Sequence, residues 1–190
     1  MLAAFIEDIR RHIGQNRPLS ARSAAKAVLH DFGLQALAGY RLGRHLMQLG
    51  GSIWHWPALP FAWALYFLWS RYIRIAYDIH LALSAEIAEG LYIGHFGGIY
   101  VARCRLGRHC SISHSTQIHP GDSGAGPTLG DRVWVGAHAT IVGPFSIGTG
   151  STVSAAAVVQ RDIPDHALCM GNPARVVMKG YDNTAILMLG

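Results

Sequence analysis

The stretch from Leu129 to Val159 reads LGDRVWVGAHATIVGPFSIGTGSTVSAAAVV, with aliphatic residues at Leu129, Val135, Ile141, Ile147, Val153 and Val159, six apart at every step. A helix repeats about every 3.6 residues and a strand about every two, so neither element alone sustains that beat. Working back from Leu129, the same beat runs through Ile118 and Ile112, and again through Ile99, Ile93 and Ile87, with a step of seven between Ile99 and Leu106. Twelve positions keep this time between Ile87 and Val159.

The neighbours of these positions agree. Two residues earlier stand small or β-branched residues: Ala85, Gly97, Cys104, Cys110, Thr116, Val133, Ala139, Ser151 and Ala157. Directly after comes glycine at Gly94, Gly107, Gly130, Gly136 and Gly148. The pattern predicts a flat strand and a turn per unit, the aliphatic side chain pointing inward and the glycine freeing the corner. Three such faces close one coil of about 18 residues, so the run predicts about four coils of a parallel β-helix.

Outside the beat the chain changes character. Of its 190 residues 51% are hydrophobic and 14% charged, which suits one good core with a small appendage. The net charge of +5 belongs to residues 1–80, which hold nine Lys/Arg against four Asp/Glu, while residues 81–190 hold seven of each. Trp54, Trp56, Trp63 and Trp69 lie in the same basic part. Two readings stay open there: peripheral contact with an anionic membrane surface, or a helical packing face with solvated arginines. The apolar run Ile53 to Trp69 is shorter than a span needs and is broken by His55, Pro57 and Pro60, which argues against a transmembrane helix. The basic residues form no reader motif and the later half is neutral, which argues against nucleic acid. Glu7 and Asp8, with no long apolar core around them, argue against a secretory signal. Cys104, Cys110 and Cys169 make no even framework and read as reduced, in a cytoplasmic protein.

The first part reads as helical. Ser20 and Asp31 are good N-caps, and Phe32 to Leu49 places Leu34, Leu37, Leu42, Leu46 and Leu49 at helical spacing before Gly50-Gly51. A further helix is expected after Pro60. The expected organisation is a helical region over 1–80, the β-helix over 81–179 and a tail over 180–190.

With Gly171-Asn172-Pro173-Ala174-Arg175 just behind it, the repeat resembles the hexapeptide-repeat acyltransferases. Within them it is most similar to the serine acetyltransferase group, which takes in polysaccharide O-acetyltransferases. Leu37-Ala38-Gly39-Tyr40-Arg41 and Tyr77-Asp78-Ile79-His80 resemble the lead-in of that group, and the likeness covers roughly residues 30–179. The resemblance implies a mainly β fold, a left-handed parallel β-helix behind a small α-helical region. It further implies a homotrimer or a dimer of trimers, and acetyl-CoA as co-substrate, with no metal.

A thioester is already activated, so the chemistry needs a base for the incoming hydroxyl, a donor for the oxyanion and a slot for CoA. No Gly-x-Ser-x-Gly elbow is present, which favours direct transfer. His95 follows Ile93 by two, near a corner, and matches the catalytic histidine of the resembled group. His114 follows Ile112 by two and stands one coil after His95, allowing for the extra residue before Leu106, on the same predicted face. It joins the catalytic set by binding the acceptor or tuning His95, or it fills a stacked polar ladder. His119 and Asp122 lie in the loop 119–128 that interrupts the repeat, a place for acceptor contacts. The resemblance puts CoA along Gly136, Ala137 and Ala155, with Arg175 and Lys179 for its phosphates.

Two departures bear on the acceptor. The resembled group has an aspartate before the catalytic histidine where this chain has Gly94, and a histidine before the returning proline where this chain has Gly126. Those losses, the shorter loop and the Trp-rich basic segment favour O-acetylation of a sugar or polysaccharide, close to the inner face of the membrane. The alternatives are a serine O-acetyltransferase of cysteine biosynthesis, and a catalytically silent trimeric scaffold.

Overall fold

Each repeat unit folds as a short strand and a turn, and successive strands pass to three different faces. The computed structural model describes residues 2–14, 20–49, 59–94 and 97–188. The first face stacks β1 (Ile79–Leu81), β4 (Ile99–Val101), β7 (Gln117–His119), β10 (Thr140–Val142) and β13 (Val158–Val159). The second stacks β2 (Glu86–Ile87), β5 (Arg105–Leu106), β8 (Thr128–Leu129) and β11 (Ser146–Ile147). The third stacks β3 (Tyr92–Ile93), β6 (Ser111–Ile112), β9 (Trp134–Val135), β12 (Thr152–Val153) and β14 (Ala167–Met170), then turns back in antiparallel β15 (Arg175–Lys179). All other pairings are parallel. The inward columns, such as Ile87–Leu106–Leu129–Ile147 and Ile93–Ile112–Val135–Val153, are buried end to end. Each such side chain contributes about 1.5–3 kcal/mol relative to exposure.

The coils number five rather than about four. The register aligns Val101, not Ile99, with Ile118, and Ile99 sits on the buried shoulder beside it. The last coil escapes the beat because Ile163, bridged to Ile147, comes too soon after Val159; Cys169 then pairs with Val153. The glycines after the inward residues also act differently from expectation. A Cβ at Gly107, Gly130 or Gly136 would lie 2.5–2.6 Å from the next coil, so they permit close stacking. The left-handed backbone falls further round the corners, three residues after the inward one, on His109, Ser115, Arg132, His138 and Ala156 with φ of 54–60° and on Gly90 and Gly150 with φ of 76° and 68°.

Among the described residues four α-helices precede the coils: α1 (Leu2–Ile13), α2 (Ala21–His30), α3 (Phe32–Leu49) and α4 (Leu59–Tyr77). Ser20 caps α2 in a capping box, and the Asp31 carboxylate accepts the Leu34 amide at the start of α3. The first coil has a free edge, whose backbone groups need partners. Side chains of α1 and α3 supply them. The Asp8 carboxylate accepts the Gly90 and Leu91 amides, and the Tyr40 hydroxyl accepts the Ile87 amide while donating to the Ala85 carbonyl. Arg41 donates to the Ile87 and Ala88 carbonyls, and Arg44 to that of Leu83. Asp8 is fully buried, and Arg41 closes on it at 3.0 and 3.2 Å.

His12 completes this edge. Its Nε2 accepts the Ile93 amide at 3.4 Å, and its Nδ1 donates to the Asp8 carbonyl at 2.8 Å, so the ring is neutral there. Burial pushes its pKa below the usual 6.5 despite Asp31 and Asp8 nearby, and Arg11 pushes the same way. The unfolded chain therefore takes the proton first, and the stabilisation is present above about pH 6.5 and lost as pH falls through the folded value. His80, lowered by burial and Arg74, acts in the same direction. The unfolding midpoint in urea should fall between pH 7 and pH 5.5, and fall less in His12→Gln; equal slopes in the two proteins would remove His12 as a cause.

Behind β15 the chain folds back over the third face. Asn183 donates to the Arg132 and Ser151 carbonyls, and Arg11 of α1 reaches Ser111 and the Leu187 carbonyl in α5 (Thr184–Met188). The three cysteines are free and buried, and burial pushes Cys104 and Cys110 up to about 12 and Cys169 to about 11. They pack as small apolar residues and are poor thiolate nucleophiles.

Candidate active site

The corner between the third and first faces collects four of the candidates, His114, Gly136, Ala137 and Ala155. Register carries them there: Ile112 pairs with Val135 and Val135 with Val153, so His114, Ala137 and Ala155 stand one above another. Backbone bonds tie the column together, from the His138 amide to the His114 carbonyl at 3.1 Å and from the Ala156 amide to the Ala137 carbonyl at 2.8 Å. Gly136 is buried, and a Cβ on it would meet the Ala155 amide at 2.6 Å. The corner thus presents alanines and bare backbone below a half-buried imidazole.

His95 and Phe96 lie outside the described residues, but both flanks of their loop are fixed. Gly94 donates to the Ile112 carbonyl at 3.4 Å, and Gly97 to that of Tyr77 at 2.9 Å. The Asp78 carboxylate accepts the Gly98 amide at 2.9 Å, and Ser115 donates to the Gly97 carbonyl at 2.7 Å. Asp78 is therefore a carboxylate held against the loop that carries His95. The sequence reading looked for such a group at Gly94 and missed this one. The usable signal was its place nearly one coil ahead of His95.

His138 stands at the same corner, on the next coil. Its ring meets that of His114 edge to face, with centroids 5.2 Å apart. His114 Nδ1 also lies 3.5 Å from the Ser115 hydroxyl. The corner thus holds two imidazoles of successive coils.

The other candidates are spread out. His119 ends β7, at the far edge of the first face, and its Nδ1 accepts the Gly121 amide at 3.2 Å. Asp122 is exposed in the short 3-10 turn Gly121–Ser123. Arg175 pairs with Met170, near the lower end of the corner column, whereas Lys179 pairs with Ala167 at the other end of β15, about 13 Å along the strand. Among the described residues, clefts of the single chain also lie elsewhere, one lined by Tyr66, Trp69, Arg74 and His80, another by Arg41, Arg44 and Glu86, and a third by Arg103, Arg105, Gly126 and Thr128.

Gly126 is a steric requirement. A Cβ there would run into the Arg103 carbonyl. The return of the 119–128 loop thus follows a path that admits no side chain at this position. Gly126→His should cost about 1–3 kcal/mol and lower Tm; an unchanged Tm would mean that the loop has another path.

No family model matches the chain. A solved soybean serine acetyltransferase complexed with serine is 30% identical, and the chain covers 68% of it with 92% of its own length at a TM-score of 0.69. The chain belongs to the serine acetyltransferase group of the hexapeptide-repeat β-helix acyltransferases. Serine acetyltransferase 2 of Arabidopsis thaliana is 32% identical over 167 residues, 86% of this chain and 48% of that protein. The serine acetyltransferase of Mycobacterium tuberculosis is 29% identical over 181 residues, 93% of this chain and 73% of that one. The chain spans about half the length of the Arabidopsis relatives it matches, 48% and 44%. With this share of the chain covered, the likeness takes in the coils together with helices that cap their first edge.

Proposed function

We propose that this chain is an acetyl-CoA-dependent serine O-acetyltransferase, acting in the cytoplasm as a homotrimer or a dimer of trimers. Its membership in the serine acetyltransferase group carries this reading, and the alanine-lined corner at Ala137 and Ala155 supports it. His95 takes the proton of the serine hydroxyl as that oxygen bonds to the acetyl carbonyl carbon. The carbon–sulfur bond then breaks, and the proton passes to the departing CoA thiolate, which leaves the imidazole neutral. Asp78 orients the loop around His95. Gly136, Ala137 and Ala155 give the pantetheine arm close access to backbone, and Arg175 meets phosphate, with Lys179 further along the strand. His114 serves the acceptor side. His119 and Asp122 stand across the first face from that corner, and reach an acceptor only at a corner shared with a neighbouring subunit.

The second reading, a sugar or polysaccharide hydroxyl as acceptor, rests only on Gly126, a position that admits no side chain where the resembled group has a histidine. Thiol release from acetyl-CoA, with L-serine in one arm and sugars and glycan oligomers in the others, decides between them. Turnover with serine alone supports the proposal. Turnover with a glycan alone overturns it for the second reading, and silence in every arm returns the scaffold alternative.

A further inference from the structure

Helix α4 exposes more apolar surface than its packing uses. One side lies on α3 and β1: Ile73 is buried, Tyr66 meets Gly43, and Trp69 approaches Gly39 and donates to the Gln35 carbonyl. On the opposite side Phe61, Leu65, Leu68, Tyr72 and Ile75 recur at steps of four and three, and each is 50–77% exposed. Such a stripe follows one face of a helix. Arg71 is exposed on one flank of the stripe together with Phe67, Arg74 stands further round at the cleft with Tyr66 and His80, and residues 59–77 contain no Asp or Glu. No helix among the described residues is long and apolar enough to cross a membrane.

We propose that this face of α4 docks on an anionic lipid bilayer, with the helix lying in the plane of the surface. The charge pattern selects the occupant. A second copy laid on the same face would bring arginine against arginine, with no carboxylate on either helix to answer them. A bilayer answers both features: acyl carbon receives Phe61, Leu65, Leu68 and Ile75, phosphates receive Arg71 on the flank of the stripe, and Tyr72 sits at headgroup depth. This surface is independent of the acceptor assignment.

Vesicle co-sedimentation of the full chain tests it, using phosphatidylcholine vesicles with and without phosphatidylglycerol. The chain should pellet with the anionic vesicles, and less so at high salt. The triple variant Leu65→Ser, Leu68→Ser, Ile75→Ser alters exposed positions only and should keep its Tm while binding at least about tenfold more weakly. Arg71→Gln should lose about fivefold and the preference for anionic lipid. A chain that stays in the supernatant with both vesicle types overturns the proposal, as does undiminished binding by the triple variant. Sedimentation velocity without lipid covers the other occupant: a larger assembly that the serine substitutions dissolve assigns the face to a second copy.

Discussion

Alanine at His95 should lower turnover of acetyl-CoA by about 10²- to 10⁴-fold with Tm unchanged, the range over which a positioned general base acts. The expectation rests on its place two residues after the inward Ile93, in a loop whose flanks are fixed to Ile112 and Tyr77. Asp78 separates orientation from charge. Asp78→Asn keeps an oxygen that can accept the Gly98 amide but removes the negative charge beside the loop, whereas Asp78→Ala removes both. A base that needs the charge should show a shifted acid limb in the kcat/KM profile of Asp78→Asn. A base that needs only the anchor should lose activity in Asp78→Ala alone. Full activity in His95→Ala would remove it as the base, and the scaffold alternative would regain weight.

The second large effect is on stability. Asp8→Ala strips the counter-charge from a buried Arg41 and the acceptor from the Gly90 and Leu91 amides. Breaking a buried pair from one side costs about 3–5 kcal/mol, or a Tm drop of roughly 10 °C for a chain of this size. Removing both charges in Asp8→Leu with Arg41→Met should cost less than the two single losses added together, because no ion is then stranded. Additive losses in calorimetry would mean that the two side chains act separately on the first coil.

The coils were legible because one constraint, an inward aliphatic residue at every unit, is local and repeated. Where two aliphatic residues competed, as at Ile99 and Val101, spacing could not choose, because both lie inward on either side of exposed Tyr100; the strand pairing could, because it sets Val101 against Ile118. The edge contacts were invisible for a different reason. Asp8 meets Gly90 across 82 positions and Tyr40 meets Ala85 across 45, and no short pattern marks either pair. Asp78 fell between these cases. In a solenoid, residues one coil apart touch, so the loop of His95 had to be searched a coil upstream as well as next door.

The sealed first edge also limits how such a protein can change length. A coil duplicated ahead of Ile79 would meet Asp8, His12, Tyr40 and Arg41 where it needs a strand, so lengthening at that end would first have to dismantle the contacts that hold the helices. New segments are admitted at a corner between existing coils, as the 119–128 excursion already demonstrates. In tandem-repeat engineering, extra coils for this scaffold therefore belong in the middle of the stack.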